Sequence, residues 1–172
     1  MSEASRGDRE EPAATTGDPV ALFPAYLRFY RETAIAKVAS LPEAEQRTSR
    51  LPSGWTPLEL LQHLAYMERR WLSWHFLGDE VEEPWGDRSD DRWHVRDEVT
   101  LDLVATLLRE GGARTDEVLA SHGFAEMGTP APSYPRPAAP LGWICFHVLQ
   151  EYARHVGHLD VAVEIAGGPT GE

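Results

Sequence analysis

The segment HVLQEYARHVGH places His147, Glu151, His155 and His158 at spacings of three and four residues. On a helix turning about 100° per residue, these four side chains fall within roughly 40° of one line. Residues four apart on such a line have Cβ atoms about 6 Å apart, so two of them can grip one ion. Imidazole and carboxylate are nitrogen and oxygen ligands suited to Zn²⁺, Fe²⁺, Ni²⁺ or Mn²⁺. The competing reading is a solvated helix face. Against it, Ile144, Ala162 and Ile165 extend the same line, while the most hydrophilic arc, Gln150, Arg154, Asp160 and Glu164, lies to one side. The ionisable group reads as a polar island in a buried or half-buried seam. Within it, Glu151 and His155 project toward one point. His147 and His155 are about 12 Å apart along the axis, and His158 is the main competitor.

Two ligands on one helix need a third from elsewhere, and the best placed is His63. The sequence WTPLE is a strong helix start. Thr56 and Glu59 form a capping box, Pro57 occupies the first helical position, and Trp55 with Leu60 fits a hydrophobic staple. From there Leu60, Leu64, Met67, Trp71 and Trp74 make an apolar stripe, with His63 at its edge. A lone histidine on such a face is more often a satisfied core residue; its value here is as the partner of Glu151 and His155. His75 and His94 lie near or within the acidic stretch GDEVEEPWGDRSDDRW, which shows no strand alternation. That stretch reads as a surface connection, with a pocket lid as the alternative.

The remaining elements supply a scaffold. Asp18 and Pro19 suit the start of a first helix, with Pro24 as the alternative start, and Leu27, Tyr30, Ala34, Val38 and Leu41 give its stripe. A third helix runs from Asp97 or Thr100 to Ser121, with Val104, Leu107, Leu108, Thr115, Val118 and Leu119 inward. Its Gly111-Gly112 pair costs about 1 kcal/mol per glycine relative to alanine, so the helix either kinks or receives a close neighbour. The proline-rich MGTPAPSYPRPAAP reads as an extended, polyproline-like crossover. Pro140 then suits the first position of a fourth helix, which continues to Ala166 and stops at Gly167-Gly168. No strand pattern appears. The expected fold is all-α, a four-helix bundle with long connections after its second and third helices. It occupies residues 18–168 as one domain behind a disordered leader, 1–17.

Composition narrows the function. A net charge of −12 argues against nucleic-acid and anionic-membrane partners. The N-terminus lacks the apolar core of a signal peptide, and no apolar run approaches the ~18 residues of a membrane span. The single cysteine, Cys145, excludes an internal disulfide and a cysteine zinc cage, and its apolar surroundings assign it to packing. A cytoplasmic location is the expectation.

WTPLELLQHLAYMERRWL, followed much later by HVLQEYARHVGHLD, resembles the DinB-like superfamily, and in particular its actinobacterial branch of mycothiol-dependent metalloenzymes. The likeness spans about Leu22 to Ala166. It implies a four-helix bundle, often dimeric, with one metal ligand on the second helix and two on the fourth. By residue, that implies His63, Glu151 and His155. Their places on the helix make His147 and His158 flanking groups, and Asp160 reads as a surface residue, with a hydrogen bond to a ligating histidine as the alternative. Glu151 stands where many DinB-like proteins have histidine, and the mycothiol-linked branch shares the glutamate. No counterpart of the additional C-terminal domain of mycothiol-dependent maleylpyruvate isomerase is expected after the fourth helix, which argues against identity with that isomerase.

The resemblance implies a divalent metal, zinc first with nickel, iron or manganese as alternatives, and mycothiol as cosubstrate. The expected activity is a metal-dependent thiol S-transferase or isomerase acting on a small electrophile. The alternative is a non-catalytic metal-binding or ligand-sensing bundle. The two differ in coordination: a fourth protein ligand closes a structural site, whereas open positions favour chemistry.

Overall fold

The computed structural model describes residues 10–170, so the first nine residues of the expected leader lie outside it. Residues 10–18 form no helix or strand, and within them Glu11 accepts a hydrogen bond from the Tyr26 hydroxyl at 3.1 Å. The chain then builds α1 (Pro19–Ala39), the one-turn α2 (Glu43–Gln46), α3 (Pro57–Arg69), α4 (Leu101–Ser121) and α5 (Leu141–Ile165). The all-α class is as expected. A two-strand hairpin, β1 (Arg88–Ser89) against β2 (Arg92–Trp93), is an addition that strand periodicity could not reveal at two residues per strand. Among the described residues, no helix is long and apolar enough to cross a membrane.

Local sequence explains most boundaries. Asp18 caps α1 by accepting from the Val20 amide, and Pro24 lies inside the helix. The Thr56–Glu59 capping box opens α3, with bonds of 2.8 and 3.2 Å. Thr100 caps α4. Pro140 proves to be the N-cap of α5 and not its first helical residue. No side chain caps that end; the chain that leaves α4 does. Leu141 and Gly142 donate their amides to the carbonyls of Glu126 and Phe124, each at 2.8 Å, so two otherwise orphaned donors are satisfied.

The expected stripes bury as a common core. Leu27, Ala34, Val38, Leu60, Leu64, Val104, Leu108, Ile144 and Ala162 are all buried, and Val148, Leu159 and Val163 of α5, which lay outside the expected stripe, join them. Leu107 and Ile165, expected inward, are exposed. Both α1 and α3 pack against α4 and α5, so the helices joined by the first connection, α1 and α3, make only a smaller contact across the core.

Beyond Arg69 the helix widens into a π-helical segment, Arg70–Leu77. Arg70, Trp71, Leu72, Trp74, His75 and Phe76 are all buried, so this segment is covered on more than the one face an apolar stripe predicts. The proline-rich crossover docks on this segment. Thr129 and Ala131 donate to the carbonyls of Phe76 and Trp74 at 2.8 and 3.1 Å. The Trp74 indole N–H donates to Ser133 at 3.1 Å, and His75 Nε2 meets the Pro137 carbonyl at 2.9 Å.

A polar node ties the four long helices together. The buried carboxylate of Glu68 on α3 accepts from Arg31 of α1 at 2.8 Å, from Thr115 of α4 at 2.5 Å and from Tyr152 of α5 at 2.5 Å. Gly112 makes room for it. A Cβ there would stand 2.4 Å from Arg31 Cζ, while one at Gly111 meets nothing within 4 Å. The glycine pair is therefore a close-approach site within an uninterrupted helix, and the two substitutions to alanine have opposite signs. Gly111→Ala gains helix propensity and raises stability by about 0.5–1 kcal/mol. Gly112→Ala displaces a buried, ion-paired guanidinium and lowers stability despite the same propensity gain. Urea unfolding midpoints of the two variants against the parent check both signs.

Candidate metal centre

His63, Glu151 and His155 come together between α3 and α5, each offering a donor atom, with the three atoms within 4.8 Å of one another. The capped start of α3 positions His63 two turns in, and the i, i+4 spacing on α5 aligns the other two. His155 Nε2 lies 3.1 Å from Glu151 Oε2, and the rings of His63 and His155 are 5.1 Å apart, edge to face.

His63 is held by residues that helical periodicity did not reveal. Its Nδ1 donates to Asp87 Oδ2 at 2.8 Å, and Asp87 is completely buried. Arg70, from the π segment, grips the same carboxylate through bonds of 2.7 and 3.2 Å. Trp93 of β2 stacks on the His63 ring at 4.5 Å and meets His155 at 5.3 Å. The acidic stretch between Gly78 and Trp93 is thus not a plain surface connection. It folds inward to supply the carboxylate and the aromatic wall. Asp87 is one of seven acidic residues in that stretch, and nothing in its spacing distinguishes it from the other six.

The other ionisable residues of α5 divide. His147 flanks the group, with Nε2 3.8 Å from Glu151 Oε1 and its ring stacked on Trp143 at 5.3 Å. His158 is exposed, its ring 5.8 Å from His155 and 6.5 Å from Trp55. The Asp160 carboxylate pairs with Lys37 of α1 and so ties α5 to that helix. Cys145 is buried, and burial pushes its thiol up to about 12, which leaves it a packing residue and no nucleophile.

Electrostatics favours neutral imidazoles. Burial lowers His155 to about 4, reinforced by neighbouring His63 and opposed by Glu151. Burial also lowers His63, although the Asp87 contact works against it. For Asp87, burial alone would raise the pKa, but the bonds from His63 and Arg70 prevail and hold it below the usual carboxylate range. An ionised Asp87 fixes the His63 proton on Nδ1 and leaves the Nε2 lone pair free. Neutral imidazole is the ligating form.

The residues present fit a divalent ion. Two neutral imidazoles and a carboxylate form an N, O, N donor set. His155 Nδ1 is buried without a hydrogen-bond partner, so that ring's bonding capacity is incompletely used by protein. Asp87 behind His63 is the carboxylate that commonly orients a metal-binding histidine. Small side-chain rotations take donors spaced 4.8 Å apart at most to the ~3.5 Å of a tetrahedral site.

A pH response of the metal-free protein follows. His155 is neutral in the fold down to about pH 4 but titrates near 6.5 when unfolded. Between those values the unfolded chain binds more protons, so stability falls as pH falls through the window. His63, His75 and His147 are lowered as well and act in the same direction. His155 alone accounts for about 2 kcal/mol lost between pH 7.5 and pH 5. Urea titrations at the two pH values measure the loss, and His155→Gln reduces it.

A comparison with curated proteins finds no match. The family model described as Mycothiol-S-transferase matches residues 22–168, from within α1 to just past α5, and so covers both helices that carry the three donors. The chain belongs to the DinB-like mycothiol S-transferase family.

Proposed function

We propose that the protein is a divalent-metal-dependent S-transferase that joins mycothiol to a small electrophile, with His63, Glu151 and His155 holding the ion. The observation that carries this reading is that, among the described residues, the donor group stops at three. Neither His147 nor His158 joins it, so coordination positions stay open for a ligand. That count argues against a purely structural ion, and the family match supplies the thiol. Zinc suits the donor set best, with nickel, iron and manganese as alternatives.

Held by His63, Glu151 and His155, a divalent ion would supply Lewis acidity, which would lower the pKa of a thiol bound there so that thiolate is present at neutral pH. The protein groups do the rest. Arg70 fixes Asp87, Asp87 fixes the His63 tautomer, and Trp93 limits the movement of both histidine rings. His147 is kept neutral by burial and by Arg136, against the pull of Glu151, and its Nε2 receives the thiol proton. The sulfur lone pair then forms a C–S bond to the electrophilic carbon, and the leaving group departs with its bonding electrons. No protein nucleophile is required, in keeping with a buried Cys145. Residues 18–168 carry the whole site, and a cytoplasmic thiol pool is the setting that suits it.

Metal content and activity test the reading together. Untagged protein should hold one divalent ion per chain, and His155→Ala should hold none. Asp87→Asn should weaken binding by about 10–100-fold. Conjugation of mycothiol to a haloaromatic electrophile should stop on chelation and return when metal is restored. A chelator that changes the melting temperature while no electrophile is ever conjugated would sink the proposal in favour of a metal-binding or ligand-sensing bundle.

A further inference from the structure

Beside the three donors lies a cleft of about 290 Å³, lined by Ser53, Trp55, Arg88, Asp91, Arg92 and Trp93. Its size is at the lower end of the ~300–1,000 Å³ typical of small-molecule pockets. The rings of Trp55 and Trp93 lie 6.0 Å apart, inclined at 57°, and give it an apolar side. Arg88, Arg92, Asp91 and Ser53 give it donors and acceptors. Arg92 and Asp91 make no ion pair among the described residues.

Two backbone features show that the cleft is built. The turn of the β1–β2 hairpin puts Asp90 and Asp91 at φ 50° and 59°, the two-residue geometry that normally selects asparagine or glycine. On the opposite side Gly54 has φ +84°, and a Cβ there would stand 2.8 Å from Arg92 Nη2. The guanidinium therefore rests against a backbone that only glycine leaves open. Trp93 is shared with the donor group, since its ring also stacks on His63. The cleft and the donors have one wall in common.

We infer that this cleft binds the polyhydroxylated ring portion of the thiol cosubstrate, so that its sulfur-bearing arm reaches the donor group. The inference rests on the S-transferase reading. A sugar or cyclitol ring has an apolar C–H face that suits indole. Its hydroxyls both donate and accept, which matches donor-only arginine beside acceptor-only aspartate. Other ligand classes fit less well. A simple anion meets the Asp91 carboxylate, and an apolar electrophile desolvates two arginines without pairing them. Mycothiol carries its cysteine on a glucosaminyl inositol, which is such a polyol.

The sulfur-free glucosaminyl inositol separates this subsite from catalysis, because it cannot ligate an ion through sulfur. Titrated into metal-free protein and followed by calorimetry and tryptophan fluorescence, it should bind saturably, whereas N-acetylcysteine should not. Trp55→Ala and the exposed Arg92→Ala should each raise its Kd at least tenfold. In the metal-loaded protein, Arg92→Ala should raise KM for mycothiol and leave kcat unchanged. Absence of fragment binding, or binding indifferent to Arg92→Ala in a variant with parental circular dichroism, overturns the subsite. If mycothiol is conjugated in that case, the transferase reading stands alone. Fragment binding without conjugation preserves the subsite and removes the transferase.

Discussion

One buried carboxylate sets the geometry of this molecule. Glu68 is 1 % exposed, and each of the other three long helices sends it a donor. A charge at that depth is tolerated only with full compensation, because removing one partner leaves another uncompensated in a medium of low dielectric. The node therefore fixes more than proximity. Tyr152 follows Glu151 directly, so its bond to Glu68 sets the rotation of α5 about its own axis. That rotation turns Glu151 and His155 toward His63, which lies five residues before Glu68 on α3.

The connections complete what the helices begin. Between α3 and α4 the chain returns Asp87 to His63 and lays Trp93 over its ring. Between α4 and α5 the prolines cannot join a helix, yet the residues among them satisfy carbonyls left open by the π segment. The π segment in turn brings Arg70 to Asp87.

Burial sets the electrostatic character of the donor group. Two imidazoles withdrawn from water resist protonation, and the nearby Arg70–Asp87 pair keeps one carboxylate ionised behind them. This arrangement costs stability in acid and maintains ligand-ready side chains at neutral pH. Neutral buried histidines beside an ionised carboxylate are useful to a site that must accept a cation.

By itself the sequence determined the helices, most of their inward faces and the alignment of Glu151 with His155 on one helix; that His63 meets them was decided by the packing of α3 against α5. Capping chemistry at Thr56 and Thr100, apolar periodicity, and the i, i+4 spacing of Glu151 and His155 are local properties, expressed within a few residues of chain. Tertiary structure decided which groups support those donors. Asp87, Arg70 and Trp93 come from separate segments and share no period, so each was indistinguishable in sequence from its neighbours. Asp160 shows the converse, since a position near the histidines of α5 did not prevent its pairing with Lys37 of α1. The Gly111-Gly112 pair allowed a kink or a close neighbour, and the choice fell to Arg31 approaching from another helix. Periodicity tells which face of a helix turns inward; what meets that face depends on contacts between segments far apart in the chain.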